Sequence, residues 1–302
     1  MPIRVQQDLP ARGQLENENI FVMDEERSIH QDIRPLRICI LNLMPLKQDT
    51  ELQLLRELSN TPLQIDIEFL TVASHVHTNV SANHLNQFYR NWEEVAAKRF
   101  DGMIITGAPV ETMEYEEVDY WEELKQIFEW TKDHVTSTVH VCWGAQAALY
   151  YHYGLPKKPL PQKLFGIYPH RVLHRRDPLV RGFDDVFYAP HSRYTEVAAS
   201  AIYGCEALKV LAVGEAAGVY LCTAGSGKQI FVMGHPEYDR MTLDQEYRRD
   251  LQKGIPIQLP YNYYPEDDPE KRPFLQWRSH ANDLYTNWLN YCVYQDTPYD
   301  IG

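Results

Sequence analysis

Apolar runs that alternate with segments of helical periodicity dominate the first half of this chain. The runs are short and rich in β-formers, as in strands buried on both faces, and they cover 37–42, 64–72, 102–107 and 138–141. Helical spacing of apolar residues follows each run, over 49–58, 81–97, 120–134 and 143–153, and Ser81 suits a helix N-cap. Strands and helices that alternate in this way predict an α/β fold with a parallel sheet between two layers of helices.

Shorter apolar runs at close spacing follow in the second half, with turn residues between them. Strands are predicted at 186–188, 208–213, 219–222 and 229–233, helices at 239–251 and 274–294, and a loop at 255–273. This spacing favours a partly antiparallel extension of the same sheet. Residues 1–34 show no clean period and predict an extended arm lying on a single α/β domain over 35–302.

The charge and cysteine content exclude several classes of protein. Forty-two acidic and 29 basic residues give a net charge of −13, which repels nucleic-acid phosphates, so no nucleic-acid partner is expected. No apolar run approaches the roughly 20 residues that cross a bilayer, and no signal peptide begins the chain, so we expect a cytoplasmic protein without a membrane partner. Five cysteines without a CxxC motif predict reduced thiols and no metal or redox cofactor.

One cysteine stands where a parallel strand gives way to a helix of small residues. Cys142 directly follows the strand at 138–141, and Gly144 and Ala145 leave room for a tight turn. Ligands bind at the carboxyl ends of such strands, and a helix N-terminus favours a thiolate. Cys142 is therefore the candidate nucleophile on a nucleophile elbow, although a buried, inert thiol is the ordinary alternative.

A thiol nucleophile needs a base, and the base needs a group that orients it. The segment Gly-His-Pro-Glu at 234–237 follows the predicted strand at 229–233 directly. His235 is the candidate base, and Glu237 lies close enough in the chain to hold the imidazole by its other nitrogen. Pro236 stiffens the turn between them.

These residues resemble the Cys-His-Glu triad of class I glutamine amidotransferase-like proteins, which have a flavodoxin-like fold. His140 replaces the first glycine of their usual G-x-C-x-G elbow, which argues against glutaminase chemistry. Longer motifs over nearly the whole chain resemble the homoserine O-acyltransferase family of methionine biosynthesis. They are MPIRV, ILNLMP, DGMIITGAP, DHVTSTVHVCWGAQAAL, RGFDD, APHSRY, GHPEYD, LPYNYY and WRSHAN.

This resemblance implies transfer of an acyl group from a coenzyme A thioester to the γ-hydroxyl of L-homoserine. Cys142 would carry the acyl group, His235 would deprotonate first Cys142 and then the hydroxyl, and Glu237 would orient His235. Acetyl-CoA would be a substrate and no cofactor would be needed. The resemblance and the aromatic content favour a homodimer.

The family pattern also implies the residues that bind substrate. Arg249 falls on the position of the substrate carboxylate contact, and Lys163 and Ser192 fall on further substrate positions. From its own helix alone, Arg249 would be interpreted as a solvated surface residue. Glu111 stands where the family has glutamate with acetyl transfer and glycine with succinyl transfer, so we expect acetyl transfer, with Glu111 opposing a succinyl carboxylate by bulk and like charge.

Three alternatives stay open at this point. The chain could transfer succinyl groups by the same mechanism. It could instead be an amidase or glutaminase with the same triad and fold, or a thiol sensor that reuses the elbow cysteine. A sensor would have no use for Arg249, Lys163 and Ser192.

Overall fold

The computed structural model describes residues 3–6, 8–18, 22–23, 34–75 and 79–297. The strands in these ranges are β1 (Ile3–Arg4), β2 (Val22–Met23), β3 (Leu36–Leu41), β4 (Ile65–Thr71), β5 (Tyr89–Asn91), β6 (Phe100–Ile105), β7 (Val135–Val141), β8 (Lys157–Val172), β9 (Val186–Val197), β10 (Lys209–Gly214), β11 (Gly218–Ala224) and β12 (Gln229–Val232). The α-helices are α1 (Pro10–Asn17), α2 (Lys47–Leu58), α3 (Ala82–Phe88), α4 (Trp92–Val95), α5 (Trp121–His134), α6 (Trp143–Tyr153), α7 (Ala199–Gly204), α8 (Thr242–Gln252) and α9 (Arg278–Asn287).

All the described strands belong to one mixed sheet. Its order is β2-β1-β4-β3-β6-β7-β12-β11-β10-β8-β9, and β5 pairs separately with β4. The strands from β2 through β12 in this order pair in parallel, whereas β12, β11, β10, β8 and β9 pair successively antiparallel. The predicted α/β class, with a parallel first half and an antiparallel extension of the same sheet, is confirmed.

The parallel strands are buried on both faces. In β3, Ile38 and Ile40 pack into one apolar core, whereas Cys39 and Leu41 pack into a second core on the opposite face. Alternate residues of a strand point to opposite faces, so a continuous apolar run supplies both cores at once. Every residue of β6 is buried for the same reason.

The first 34 residues differ from the predicted extended arm. Their described part contains α1, with Pro10 at its start and Ala11 and Leu15 on its buried face, and the strands β1 and β2 add to the sheet beside β4. Proline at the first helical position and apolar residues four apart favour this helix. The stretch 24–33 of the predicted arm lies outside the described residues.

The predicted helix over 81–97 is interrupted. Ser81 caps α3 as expected, and its hydroxyl accepts from the backbone N–H of His84. The helix then ends, and the chain is extended in β5 before α4 begins. Tyr89 explains the break, because its hydroxyl donates to buried Glu51 at 2.7 Å and accepts from Asn42 at 2.9 Å. A tertiary contact of this kind overrides local helix propensity.

The sequence prediction missed one long strand of the antiparallel part and most of another. It contained no strand over β8, and of β9 it contained only the first three residues. Three prolines in β8 argue against a central strand, yet β10 pairs with β8 only at Arg171 and Val172. The stretch of β8 that contains the prolines therefore pairs with a strand on one side alone, as an edge strand does. The predicted terminal helix over 274–294 begins later, at Arg278, and its last turns over Trp288–Tyr294 are π-helical.

Candidate active site

Cys142 occupies a strained turn between β7 and α6. Its φ of 50° and ψ of −114° are uncommon for a residue with a side chain. Its N–H donates to the Val232 carbonyl at 2.7 Å, which ties the turn to the neighbouring strand β12. The side chain is buried at the carboxyl end of the sheet. This is the geometry of a nucleophile elbow, as predicted from the sequence.

Two glycines make room for the elbow. A Cβ on Gly144 would lie 2.5 Å from the Thr106 carbonyl oxygen, so only glycine lets α6 pack this closely on the end of β6. A Cβ on Gly107 would lie 3.3 Å from Cys142 Cβ and 3.5 Å from His235 Cε1. Gly107 therefore borders both the candidate nucleophile and the candidate base, and it keeps the space beside them open.

His235 and Glu237 meet directly after β12. His235 Nδ1 lies 2.8 Å from Glu237 Oε1, and the backbone N–H of His235 donates to the Pro190 carbonyl at 2.9 Å. The imidazole stacks on Tyr238 with 4.1 Å between ring centroids. Backbone and ring contacts thus fix the imidazole while Glu237 holds its Nδ1, which leaves Nε2 as the nitrogen available for proton transfer.

The electrostatics of this pair favour a charged imidazole. Burial by itself lowers the pKa of His235, but the neighbouring Cys142 and Glu237 act in the opposite direction, and together they raise the pKa of His235 well above its usual value. Cys142 raises the pKa of His235 in two ways, through its charge and through a hydrogen bond. Cys142, His235 and Glu237 are therefore one interacting group in the structure.

His140, which stands at the first position of the elbow motif, belongs to the core. Its ring stacks on Phe231 with 5.1 Å between centroids, and its Nδ1 lies 3.2 Å from the Ile230 carbonyl. Burial lowers the pKa of His140 to about 3, so the ring is neutral at physiological pH. A neutral, packed histidine ring therefore occupies the first position of the elbow motif.

Glu246 on α8 connects two of the predicted substrate-binding residues, and sequence reasoning missed it. Its Oε1 accepts from Lys163 Nζ at 2.6 Å, and both carboxylate oxygens lie 2.9 Å from Ser192 Oγ. Arg249 Nη2 lies 3.6 Å from Glu246 Oε1 and 2.7 Å from Asp250 Oδ1. Glu246 precedes Arg249 by three residues on one helix, a spacing that places both on the same face and could have indicated it.

Lys163 reaches this group because β8 bulges. Pro159 pairs with Thr195, whereas Leu164 already pairs with Arg193, so β8 has more residues than β9 over the same interval. A bulge of this kind re-aims side chains and locally interrupts the pairing of the two strands. It carries Lys163 towards α8 and leaves Tyr194 without a paired residue in β8.

Glu111 lies in the loop after β6, and its carboxylate is held by β9. Its Oε2 accepts from the Tyr194 N–H at 2.8 Å and from the Thr195 N–H at 3.2 Å. Lys157 Nζ donates to the Glu111 carbonyl at 2.7 Å and fixes the loop. Burial raises the pKa of Glu111, while the N–H donors of Tyr194 and Thr195 oppose this rise.

One cleft of about 1170 Å³ brings these groups together. Its lining includes all the predicted site residues except Glu237, which lies behind His235: Glu111, Cys142, Lys163, Ser192, His235 and Arg249. A volume of this order accommodates a ligand larger than a typical drug-sized molecule. The structure thus brings together residues that the sequence spreads over more than 130 positions.

Within the described ranges, no three His, Cys, Asp or Glu side chains form a group that could hold a metal ion. Nor does any helix in those ranges have the length and apolar character that a bilayer crossing needs.

Known proteins of one family match nearly the whole of this chain. A family model described as homoserine O-succinyltransferase matches residues 2–299. Curated relatives named homoserine O-acetyltransferase include one from Lachnoclostridium phytofermentans, 66% identical over 301 residues that cover 100% of both chains. Another, from Lachnospira eligens, is 64% identical over 302 residues, covering 100% of this chain and 97% of the relative.

Solved structures of low sequence identity share the fold. A glutamine amidotransferase from Thermotoga maritima has a TM-score of 0.55 at 12% identity and covers 87% of this chain and 100% of its own. A glutamine amidotransferase from Methylobacillus flagellatus has a TM-score of 0.53 at 11% identity, covering 85% of this chain and 95% of its own. The amidotransferase-like fold predicted from the elbow and the His-Pro-Glu turn is confirmed.

Proposed function

Because the chain belongs to the homoserine O-succinyltransferase family, we propose that it transfers an acetyl group from acetyl-CoA to the γ-hydroxyl of L-homoserine. The product is O-acetyl-L-homoserine, an intermediate for methionine biosynthesis. The observation that carries the proposal is that Cys142 and His235, with Glu237 behind His235, line one cleft with Glu111 and the Glu246 cluster. This cluster consists of Lys163, Ser192, Glu246 and Arg249. The names of the curated relatives support the same acyl group.

The first half-reaction acylates Cys142. Its thiolate attacks the thioester carbonyl, a C–S bond to the enzyme forms, the bond to the CoA sulfur breaks, and the CoA thiolate takes the proton from the His235 imidazolium. The N–H of Trp143, at the first position of α6, has no partner within the helix and is the candidate donor to the developing oxyanion. One thioester replaces another, so the step is nearly balanced in energy.

The second half-reaction releases the acetyl group to homoserine. Neutral His235 takes the proton of the γ-hydroxyl while that oxygen attacks the acyl-cysteine carbonyl. The Cys142 thiolate leaves, and the ion pair with the protonated His235 is restored. Glu237 stabilises the imidazolium through its 2.8 Å contact in each half-reaction.

Homoserine is a zwitterion, and the Glu246 cluster offers both charges that it needs. The Arg249 side chain is 51% exposed to the cleft and can turn its guanidinium to the substrate carboxylate in a bidentate contact. Glu246 can accept from the ammonium group, and Ser192 and Lys163 hold Glu246 in place.

The proposal is tested by following CoA release with a thiol reagent. The purified protein is mixed with acetyl-CoA or succinyl-CoA, with and without L-homoserine, and Cys142→Ala serves as the matched control. Release that depends on homoserine and is fastest with acetyl-CoA is expected. Faster release from succinyl-CoA would identify a succinyltransferase, and glutamine hydrolysis without acyl transfer would identify an amidase.

We also propose that the chain forms a homodimer. Large aromatic side chains are more than half exposed at Tyr203, Tyr261, Phe274 and Tyr294, as at an interface between protomers. Light scattering after size-exclusion chromatography gives the mass directly, and a monomer mass at micromolar concentration would contradict the proposal.

A further inference from the structure

The carboxylate of Glu237 uses only one of its two oxygens to hold the candidate base. Glu237 Oε1 lies 2.8 Å from His235 Nδ1, whereas Glu237 Oε2 is buried and has no hydrogen-bonding partner among the residues that the structure describes. A buried carboxylate oxygen without a donor is costly, because it has lost its solvation by water and gained nothing in exchange. The second oxygen of this carboxylate therefore needs a donor.

Two further buried polar atoms lack a partner in the described part of the chain. They are Glu57 Oε2 on α2 and the Tyr285 hydroxyl on α9, and the two side chains are only 3% and 1% exposed. The helices α2 and α9 pack against each other, and the Thr286 hydroxyl donates to the Asn60 carbonyl, just after α2, at 3.0 Å. Adjacent helices thus each bury one polar atom that has nothing to bind.

The electrostatics place these atoms close to Glu237. Burial raises the pKa of Tyr285 well above its usual value, and the charges of Glu237 and Glu57 raise it further. Burial and the same two charges also raise the pKa of Tyr220 on β11. Yet no direct hydrogen bond joins Glu57, Glu237 and Tyr285, and neighbouring polar groups without a direct contact are commonly bridged by water.

Glu57 is the carboxyl of this group that keeps its proton. Two ionised carboxylates in one buried site repel each other, and Glu237 is needed in its charged form by the imidazolium. The nearest cations are bound elsewhere, since Arg56 and Arg278 both contact Asp239. Burial raises the pKa of Glu57 to about 8, which Arg278 and Arg56 oppose, whereas Glu237 and Asp239 add to the rise. A protonated Glu57 is a hydrogen-bond donor.

We propose that Glu57 and Tyr285 are positioning residues for Glu237, and that they act through one ordered water molecule held between the three side chains. The carboxyl of Glu57 and the hydroxyl of Tyr285 donate to the water, and the water donates to Glu237 Oε2. Three hydrogen bonds are the usual number for a buried water. They satisfy all three atoms and fix the carboxylate that orients His235. The effect on turnover rests on the proposed acetyl transfer, whereas the water site does not.

Steady-state kinetics with Tyr285→Phe measure the positioning role. Loss of this one hydroxyl should lower kcat about three- to tenfold, and should leave KM for homoserine within about twofold, because the Glu246 cluster binds homoserine. Tyr115→Phe is the matched control, since it removes another buried hydroxyl without a partner among the described residues, in the core on the opposite face of the sheet. Its kcat should equal that of wild type. An unchanged kcat in Tyr285→Phe, or equal losses in both variants, would overturn the proposal.

Two variants of Glu57 separate a donor from a side chain that only fills space. Glu57→Gln keeps an N–H donor and should have the wild-type kcat at neutral pH, whereas Glu57→Leu should lose about three- to tenfold. Glu57→Leu combined with Tyr285→Phe should lose little more than either single variant, because both residues act through one water. Losses that multiply would show two independent effects and refute the shared water. If Glu57→Leu does not fold, Glu57→Gln still tests the donor.

The pH profile of Glu57→Gln gives a readout that packing alone would not change. An ionised Glu57 can only accept hydrogen bonds, so wild type should lose kcat relative to Glu57→Gln as pH rises through about 8, the pKa of Glu57. The ratio of the two kcat values, variant to wild type, should be near one at about pH 6 and should rise about three- to tenfold by about pH 9. A ratio that stays constant over this range would contradict the assignment of Glu57 as the donor.

A crystal structure of the wild type, at a resolution that shows ordered waters, tests the site without turnover. One water within hydrogen-bonding distance of Glu57 Oε2, Glu237 Oε2 and the Tyr285 hydroxyl is expected. If no water joins these atoms while the protein transfers acetyl groups, the inference fails and the proposed function stands. If the water is present and the protein transfers no acetyl group, the proposed function fails and the water site stands.

Discussion

Lys163 Nζ donates to Glu246 Oε1 at 2.6 Å, although 83 residues separate the two in the chain. Their side chains are 11% and 16% exposed, so the pair is largely shielded from water and its hydrogen bond is worth more than a surface ion pair. The contact fixes the carboxylate of Glu246 in the cleft, where it lies between Ser192 and Arg249.

Replacement of Glu246 should weaken homoserine binding selectively. Glu246→Gln removes the negative charge that we assign to the substrate ammonium, and we expect KM for homoserine to rise about ten- to a hundredfold, in line with about 1.5–3 kcal/mol for a charged hydrogen bond. Acylation of Cys142 by acetyl-CoA alone should proceed at nearly the wild-type rate. Steady-state kinetics and single-turnover acylation measure the two effects. Glu206→Gln, on the exposed surface, is the control, and an equal loss in acylation would contradict the assignment.

Cys142 should be the one site of acylation. Mass spectrometry of the protein mixed with acetyl-CoA alone should find an acetyl adduct on the peptide that contains Cys142. Cys142→Ala should keep its fold and lose turnover, whereas Cys142→Ser should retain little activity because a hydroxyl ionises far less readily. Cys205 is the most exposed of the other cysteines, so Cys205→Ala is the control and should behave as wild type. Normal turnover in Cys142→Ala would refute the mechanism.

The His-Pro-Glu turn should carry proton transfer. His235→Asn should lose about 10²–10⁴-fold in kcat, and Glu237→Gln should lose less because the hydrogen bond survives without the charge. His191 on β9 is a poorer candidate for the base, because it is fully buried with its Nε2 3.0 Å from His170 Nε2, and burial lowers its pKa well below the usual value. Near-normal rates in both variants would show that His235 only supports the fold.

Gly144→Ala should destabilise the elbow. The added methyl would lie 2.5 Å from the Thr106 carbonyl oxygen, and overpacking of this kind costs about 1–3 kcal/mol. Gly13→Ala in α1 is the matched control, since its Cβ meets nothing within 4 Å and alanine favours a helix. Urea denaturation of both variants measures the difference. Equal stability would mean that α6 shifts freely on the sheet.

Glu57 should make stability depend on pH. Burial raises the pKa of this carboxyl from 4.5 to about 8, while Arg278 and Arg56 oppose the rise and Glu237 and Asp239 add to it. A pKa raised by folding stabilises the chain below the unfolded pKa, and this stabilisation is lost as pH rises through the folded pKa.

Glu57→Gln mimics the protonated carboxyl. Its free energy of unfolding relative to wild type should therefore increase as pH rises from about 5 to 8, by up to about 1.4 kcal/mol per pH unit, and then level off. Urea denaturation of both proteins at intervals between pH 5 and 9 checks this. A constant difference across that range would show that Glu57 is ionised in the folded protein.

Much of the fold and the reactive centre could be predicted because the information is local. Continuous apolar runs such as β3 and β6 identify strands buried on both faces, whatever lies beside them. The elbow at Cys142 and the turn from His235 to Glu237 are each contained within a few residues at the end of a strand. Parallel strands end at the same edge of the sheet, so predicting the strands also predicted that these two turns would lie near each other.

The tertiary structure alone decided the groups around that centre. Lys47 has the sequence character of a surface residue, yet its side chain is 1% exposed and its Nζ donates to the Asn42 carbonyl at 2.6 Å. Glu246 and the donors to Glu111 come from elements far apart in the chain. The bulge in β8 brings Lys163 to Glu246, and it leaves Tyr194, one of the donors to Glu111, without a paired residue in β8. A bulge changes register through the balance of many contacts, which no short window of sequence contains, so the partners of Lys163 and Glu111 become visible only when β8, β9 and α8 are packed together.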